Sequence, residues 1–140
     1  MPEINFFNEG IDFEVPSKRD VQKWIKIVVQ QERKSLNELN YIFCTDDYLL
    51  KMNQQYLNHN TYTDIITFDN SENDLNLSGD IYISVDRVKE NASSFSVPFN
   101  TELNRVMIHG VLHLLGYADK TDLDKKVMRE KEDACLSLLK

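Results

Sequence analysis

Apolar side chains recur at two different spacings in this chain, every second residue in some segments and every third or fourth in others. Ile4-Asn5-Phe6-Phe7 reads as a short strand. Pro16-Ser17 opens a helix, with Ser17 as N-cap and Asp20 three residues on in capping-box spacing. Val21, Trp24, Ile25, Val28 and Val29 then share one helical face. Leu39–Cys44 reads as a buried strand, and Thr45-Asp46 caps a second helix carrying Leu49, Met52 and Tyr56. The β-branched run Thr63–Phe68 predicts a strand, the polar run Asp69–Ser78 a loop, and Gly79–Val85 a further strand. Asp86 is placed to cap a short helix reaching about Ser93. Asn100 is placed to cap a helix with Leu103, Val106, Met107, Gly110, Val111 and Leu114 inside, stopped by Gly116. Thr121 and Asp124 form another capping box, and Leu123, Val127, Cys135 and Leu138 mark the last helix. About four strands and about five helices intermix, which predicts an α/β (α+β) fold with one small mixed sheet. Neither a linker nor a repeat interrupts the run, so residues 1–140 are expected to form a single domain.

Composition narrows the function classes. Hydrophobic residues are 41% and charged residues 28% of the 140, a globular balance that excludes disordered and collagen-like architectures. Cys44 and Cys135 form no CxxC pair, which favours a reduced, cytoplasmic setting. No run of about 18 apolar residues is available to cross a membrane, and the amino terminus has neither the basic nor the apolar region of a secretory signal. The net charge of −7 argues against general nucleic-acid affinity. Its distribution changes that conclusion: residues 18–34 carry Lys18, Arg19, Lys23, Lys26, Arg33 and Lys34 against only Asp20 and Glu32. Arg19, Lys23, Lys26, Gln30 and Arg33 recur at helical spacing opposite the apolar face, a stripe able to collect phosphates.

The chemistry concentrates in one segment. His109 and His113 lie four apart on a predicted helix, so both imidazoles leave the same face one turn apart. Gly116 then permits the left-handed turn that folds the chain back, bringing an acidic donor, Asp119, towards the same point. Asp122 and Asp124 are nearby alternatives, but both follow Thr121 and belong to the first turn of the next helix. Three donors with a fourth position open is the arrangement of catalytic zinc. The spacing is similar to the long zinc-protease motif H-E-x-x-H-x-x-G-x-x-H. Here, however, Gly110 stands where the protease carries its water-activating glutamate. Asp64 and Asp80, each at the start of a predicted strand, are candidates to orient the histidines.

The run His109-Gly110-Val111-Leu112-His113-Leu114-Leu115-Gly116-Tyr117-Ala118-Asp119 resembles the H-G-x-L-H-L-x-G-Y-D-H signature of the YbeY family of rRNA maturation factors. Met52–Tyr56, Thr63–Phe68 and Gly79–Ser84 resemble that family's L-N-x-x-Y, T-D-V-L-S-F and G-D-I-x-I-S segments. The resemblance implies a cytoplasmic, zinc-dependent endoribonuclease acting on single-stranded RNA, with ribosomes or ribosomal proteins as partners. It implies a role in 16S rRNA 3′-end maturation and ribosome quality control, and a metal held between the histidine helix and a small mixed sheet. Two positions depart from the family. Its third histidine falls on Asp119, and its arginine after the tyrosine falls on Leu57, with His59 close by as a substitute. Asp64 and His59 are the candidates for catalysis beyond the metal. Two rivals remain open, a zinc peptidase-like hydrolase and a non-catalytic, metal-stabilised ribosome-assembly factor.

Overall fold

The computed structural model describes residues 3–57 and 62–139. The elements follow in the order β1 (Glu3–Asn8), α1 (Lys18–Gln31), β2 (Ser35–Cys44), α2 (Asp46–Tyr56), β3 (Ile65–Asp69), β4 (Asn76–Ser84), α3 (Val85–Ser94), α4 (Phe99–Leu114) and α5 (Asp122–Ser137). The strands form one sheet in the order β1-β2-β4-β3. β1, β2 and β4 run parallel, and β3 pairs antiparallel to β4 at the edge. Among the described residues, the chain adopts the expected mixed sheet of four strands with five helices.

Alternation along the strands decides which side is packed. Leu39, Tyr41 and Phe43 of β2 and Ile81 and Ile83 of β4 turn into the main core with the apolar faces of α1 and α4. Cys44 and Ile66 turn the other way and meet Leu49 and Met52 of α2. α4 lies over the sheet and also packs against α1, α3 and α5. The buried Tyr41 hydroxyl donates to the Met107 carbonyl at 2.8 Å, fixing the level of α4 over the strands. Gly110 permits that closeness. A β-carbon there would come within 2.7 Å of Ile81 Cδ1 and 3.1 Å of Ile65 Cδ1.

Helix starts differ from expectation in three places. Ser17 adopts φ 56° and caps no backbone N–H with its side chain. α3 is capped by the Ser84 hydroxyl, which accepts from Arg87 N, so Asp86 sits inside the first turn. α4 begins at Phe99 behind Pro98, leaving Asn100 within the helix. The capping box of Thr121 and Asp124 forms as expected, and the Thr45 hydroxyl caps α2. β4 begins at Asn76, three residues before Gly79, because the Asn73 side chain accepts from Leu75 N and Asn76 N and closes a tight turn. On α5 the buried residues are Met128, Glu132 and Cys135, while Leu123, Val127 and Leu138 are exposed. Trp24 of α1 sets this rotation by donating its indole N–H to the Cys135 carbonyl at 2.7 Å.

Candidate metal centre

α4 carries the two histidines to the open side of its contact with the sheet. Their Nε2 atoms lie 3.0 Å apart. The Nδ1 atoms point away and are both engaged. His109 Nδ1 lies 2.6 Å from Glu132 Oε2, and His113 Nδ1 lies 3.1 Å from the Tyr117 carbonyl. With each Nδ1–H donating, both Nε2 lone pairs are left facing one another, an arrangement that a cation between them relieves.

The third donor arrives through the turn. Gly116 takes φ 104°, the left-handed conformation that ends α4. Tyr117 is then tied down, its hydroxyl donating to Glu32 Oε1 at 2.8 Å while Lys131 pairs with Glu32 at 3.0 Å. Asp119 follows, with Oδ2 3.5 Å from His109 Nε2. One donor atom from each of His109, His113 and Asp119 lies within 4.8 Å of the others. Two imidazoles and a carboxylate are a competent donor set for zinc with an open position. Asp122 and Asp124 stay in the first turn of α5, where Asp124 accepts from the Thr121 backbone N–H.

The surroundings set the two imidazoles apart. Burial pulls His109 down, but the hydrogen bond and charge of Glu132, with Asp119 and Asp64 adding, outweigh it and raise its pKa. Burial lowers His113, and the charge of His109 lowers it further. Glu132 is held below the ordinary carboxylate range although burial opposes it, because His109 and Arg105 both bond to it. Arg105 divides between Glu132 at 2.9 Å and Asp133 at 2.6 Å.

Beside His109 opens a cavity of about 260 Å³ whose walls include Asp64, Asn91, Phe95, Glu102, Arg105, Asp119, Arg129 and Glu132. Burial raises the pKa of Asp64 against the lowering effect of His109. Burial also raises Glu102, with Asp64 adding. On the other side, His113 shares a groove with Leu57, Thr67 and Lys120.

Asp64 therefore reaches the site, where its carboxyl faces the Asn91 amide at 3.4 Å. Asp80 does not reach it. It bonds to Asn40 and Asn70 on the far side of the sheet, and the acceptor that orients His109 is Glu132. His59 lies outside the described residues. Glu132 and Glu102 went unread in the sequence, yet both left a signal. Glu102, Arg105 and His109 are spaced as one face of α4, and Glu132 interrupts the apolar spacing between Met128 and Cys135.

A family model described as endoribonuclease YbeY matches residues 4–140. A Flavobacterium psychrophilum protein named endoribonuclease YbeY is 57% identical over 132 residues, which is 94% of this chain and 94% of that one. A Cytophaga hutchinsonii protein of the same name is 50% identical over 98% of this chain and 96% of its own. A Thermotoga maritima protein solved in solution shares the fold with a TM-score of 0.67 at 30% identity, covering 96% of this chain and 87% of that one.

Proposed function

The chain belongs to the endoribonuclease YbeY family, and from that premise we propose that it is a zinc-dependent endoribonuclease cutting single-stranded RNA. The observation that carries this reading is the convergence of His109, His113 and Asp119 with both histidine Nδ1 atoms already anchored. A zinc ion held by these three residues supplies Lewis acidity towards a phosphoryl oxygen and acidifies water. Glu132 and the Tyr117 carbonyl keep the imidazoles in the tautomer that presents Nε2. Asp64, which lines the cavity beside His109 and whose pKa burial raises, takes the proton from the attacking hydroxyl as the bond from phosphorus to the departing oxygen breaks, and returns it to that oxygen. Arg129 is exposed at the cavity mouth and makes no ion pair among the described residues. It replaces the cation missing at Leu57 and holds the phosphate.

The RNA strand crosses the site from the His113 groove, lined by Lys120, to the cavity beside His109. Lys34, just after α1, lines a further hollow together with His113, but Asp69, Glu72 and Asp74 outnumber it there, so the basic stripe of α1 collects phosphates without a continuous cationic path to the metal. The reaction in the cell is 16S rRNA 3′-end maturation and ribosome quality control, in the cytoplasm, with the ribosome or its proteins as partners.

The test is metal analysis of the purified protein, paired with cleavage of an unstructured RNA before and after chelation. Cleavage is expected to disappear with the metal, to return with added zinc, and to be absent from a folded His113→Ala protein. A folded, zinc-loaded protein that leaves RNA intact overturns the reading, and cleavage of unstructured peptides by that protein would point to a peptidase.

A further inference from the structure

We propose that the cavity beside His109 is a guanine subsite, where Glu102 receives the amino and imino edge of one RNA base and Phe95 stacks on its face. This rests on the RNA-cleaving reading above, and it adds a base preference to that activity.

Glu102 is the observation that asks for a ligand. It is 5% exposed, it lines the cavity, and it has no hydrogen bond or ion pair among the described residues. Its side chain is buried but its carboxylate oxygens are not enclosed, so they open into the cavity, where only the charges of Arg105 and Arg129 oppose their own. Apart from Arg129, whose charge reaches Glu102 without an ion pair, the neighbours are already committed. Glu132 serves His109 and Arg105, and Arg105 is shared between Glu132 and Asp133. Asp64 accepts from its own backbone N–H and, at 3.4 Å, from the Asn91 amide. The walls therefore hold an excess of acceptors over donors.

That excess selects the chemistry of the occupant. Around Glu102 the charges of Asp64 and Glu132 add to its own, so an anion beside it is repelled while the phosphate keeps to Arg129 at the mouth. A neutral group presenting adjacent N–H donors is favoured. Among the RNA bases only guanine offers two neighbouring donors, N1–H and the N2 amino group, to one carboxylate. Adenine and cytosine place a ring acceptor beside their amino group, and uracil flanks its single imino N–H with carbonyls. Bonds to a charged acceptor are about twice as strong as neutral ones, so the mismatch is discriminating.

Shape agrees with charge. A cavity of about 260 Å³ is far larger than the ~30 Å³ occupied by one water. Phe95 stands at its rim 57% exposed, an aromatic face of the kind on which unstacked bases settle. Arg129 at the mouth lies where the phosphate attached to such a base would pass.

Two measurements test the subsite. In the first, the zinc-loaded protein cuts a randomised single-stranded RNA, and the ends are mapped. Guanine is expected at one fixed position beside the cut, favoured roughly tenfold to a hundredfold in kcat/KM, the range for one bidentate base contact. In Glu102→Gln, which keeps the volume but presents a donor to N1–H, the ratio of guanine to other bases should fall at least tenfold. In the second, guanosine, adenosine, cytidine and uridine are titrated into the metal-free protein and followed by NMR. Guanosine alone should shift Asn91, Phe95 and Glu102. Cutting without base preference, or a preference unchanged in Glu102→Gln, overturns the proposal while leaving the nuclease intact. If no RNA is cut at all, the nuclease reading fails, and the nucleoside titration by itself upholds or overturns the guanine subsite.

Discussion

His109 and His113 are chemically identical and one helical turn apart, yet they titrate in opposite directions because their Nδ1 atoms meet different partners. Glu132 meets one with a full charge, and Tyr117 meets the other with a carbonyl dipole. Asp119 completes the set from a turn and not from a helix, so its placement depends on Gly116 and on the bonds that tie Tyr117 to Glu32. Imidazole nitrogen and carboxylate oxygen both bind zinc at about 2.0–2.2 Å, which makes the position tolerant of one exchange. Asp119→His is therefore expected to retain zinc through dialysis, whereas Asp119→Ala should lose most of it. Asp122→Ala and Asp124→Ala should retain it, the latter with a small loss of helix stability from the broken capping box. Metal analysis of the four purified proteins decides the matter, and full occupancy in Asp119→Ala would remove Asp119 from the ligand set.

α4 combines two demands that pull its sequence apart, a face that lies against the sheet and a face that holds polar chemistry. Gly110 answers the first, since Ile81 and Ile65 leave no room for a β-carbon. Gly110→Ala improves helix propensity by about 1 kcal/mol but requires Ile81 to move, and overpacking of that kind costs about 1–3 kcal/mol. A small net loss of stability in denaturant unfolding is expected. Gly110→Glu adds a charge against the same isoleucines, and should fail to fold or unfold many degrees lower without gaining peptidase activity. A well-folded, zinc-loaded, peptide-cleaving Gly110→Glu protein would overturn both the packing argument and the choice of RNA as substrate. The elements themselves were legible wherever apolar spacing alone decides them, as in α1 and in β2 from Leu39. Their ends were less so. Ser17, Asp86 and Asn100 all have capping chemistry, but a cap is selected by backbone angles that depend on where the preceding segment comes from. Of the four residues that mark α5 in the sequence, Cys135 is buried, but Leu123, Val127 and Leu138 turn outward for a related reason. Met128 and Cys135 point inward because Trp24 claims the Cys135 carbonyl, a contact spanning 111 residues that no local spacing encodes.

The candidate metal centre is where separate parts of the chain meet: α4 brings the histidines, the Gly116 turn brings Asp119, and α5 brings Glu132. The first two were readable because they lie within one short motif. Glu132 and the cavity wall were not, because they depend on how α5 packs across α4. This assembly makes folding and metal binding interdependent, with opposite pH dependences in the two forms. In the metal-free protein, His109 has a raised pKa and contributes stability present below the unfolded value of about 6.5. That contribution is lost as the pH rises through the folded value. Zinc needs both imidazoles neutral, so its affinity moves the other way. Between about pH 6.5 and the raised value of His109, one proton must leave for each ion bound, and affinity should rise about tenfold per pH unit. Well below 6.5, where His113 also becomes protonated, the dependence should steepen to about a hundredfold per unit. At an ion concentration a hundred times Kd, the expected stabilisation is about 2.7 kcal/mol. Thermal unfolding with zinc and with chelator, repeated across pH, should therefore show two curves that separate as pH rises. In Glu132→Gln the amide still accepts from His109 but carries no charge, so the metal-free slope above 6.5 should flatten while zinc still binds. Parallel curves in the native protein would remove the two imidazoles from the ligand set, and an unchanged slope in Glu132→Gln would show that Glu132 does not set the protonation of His109.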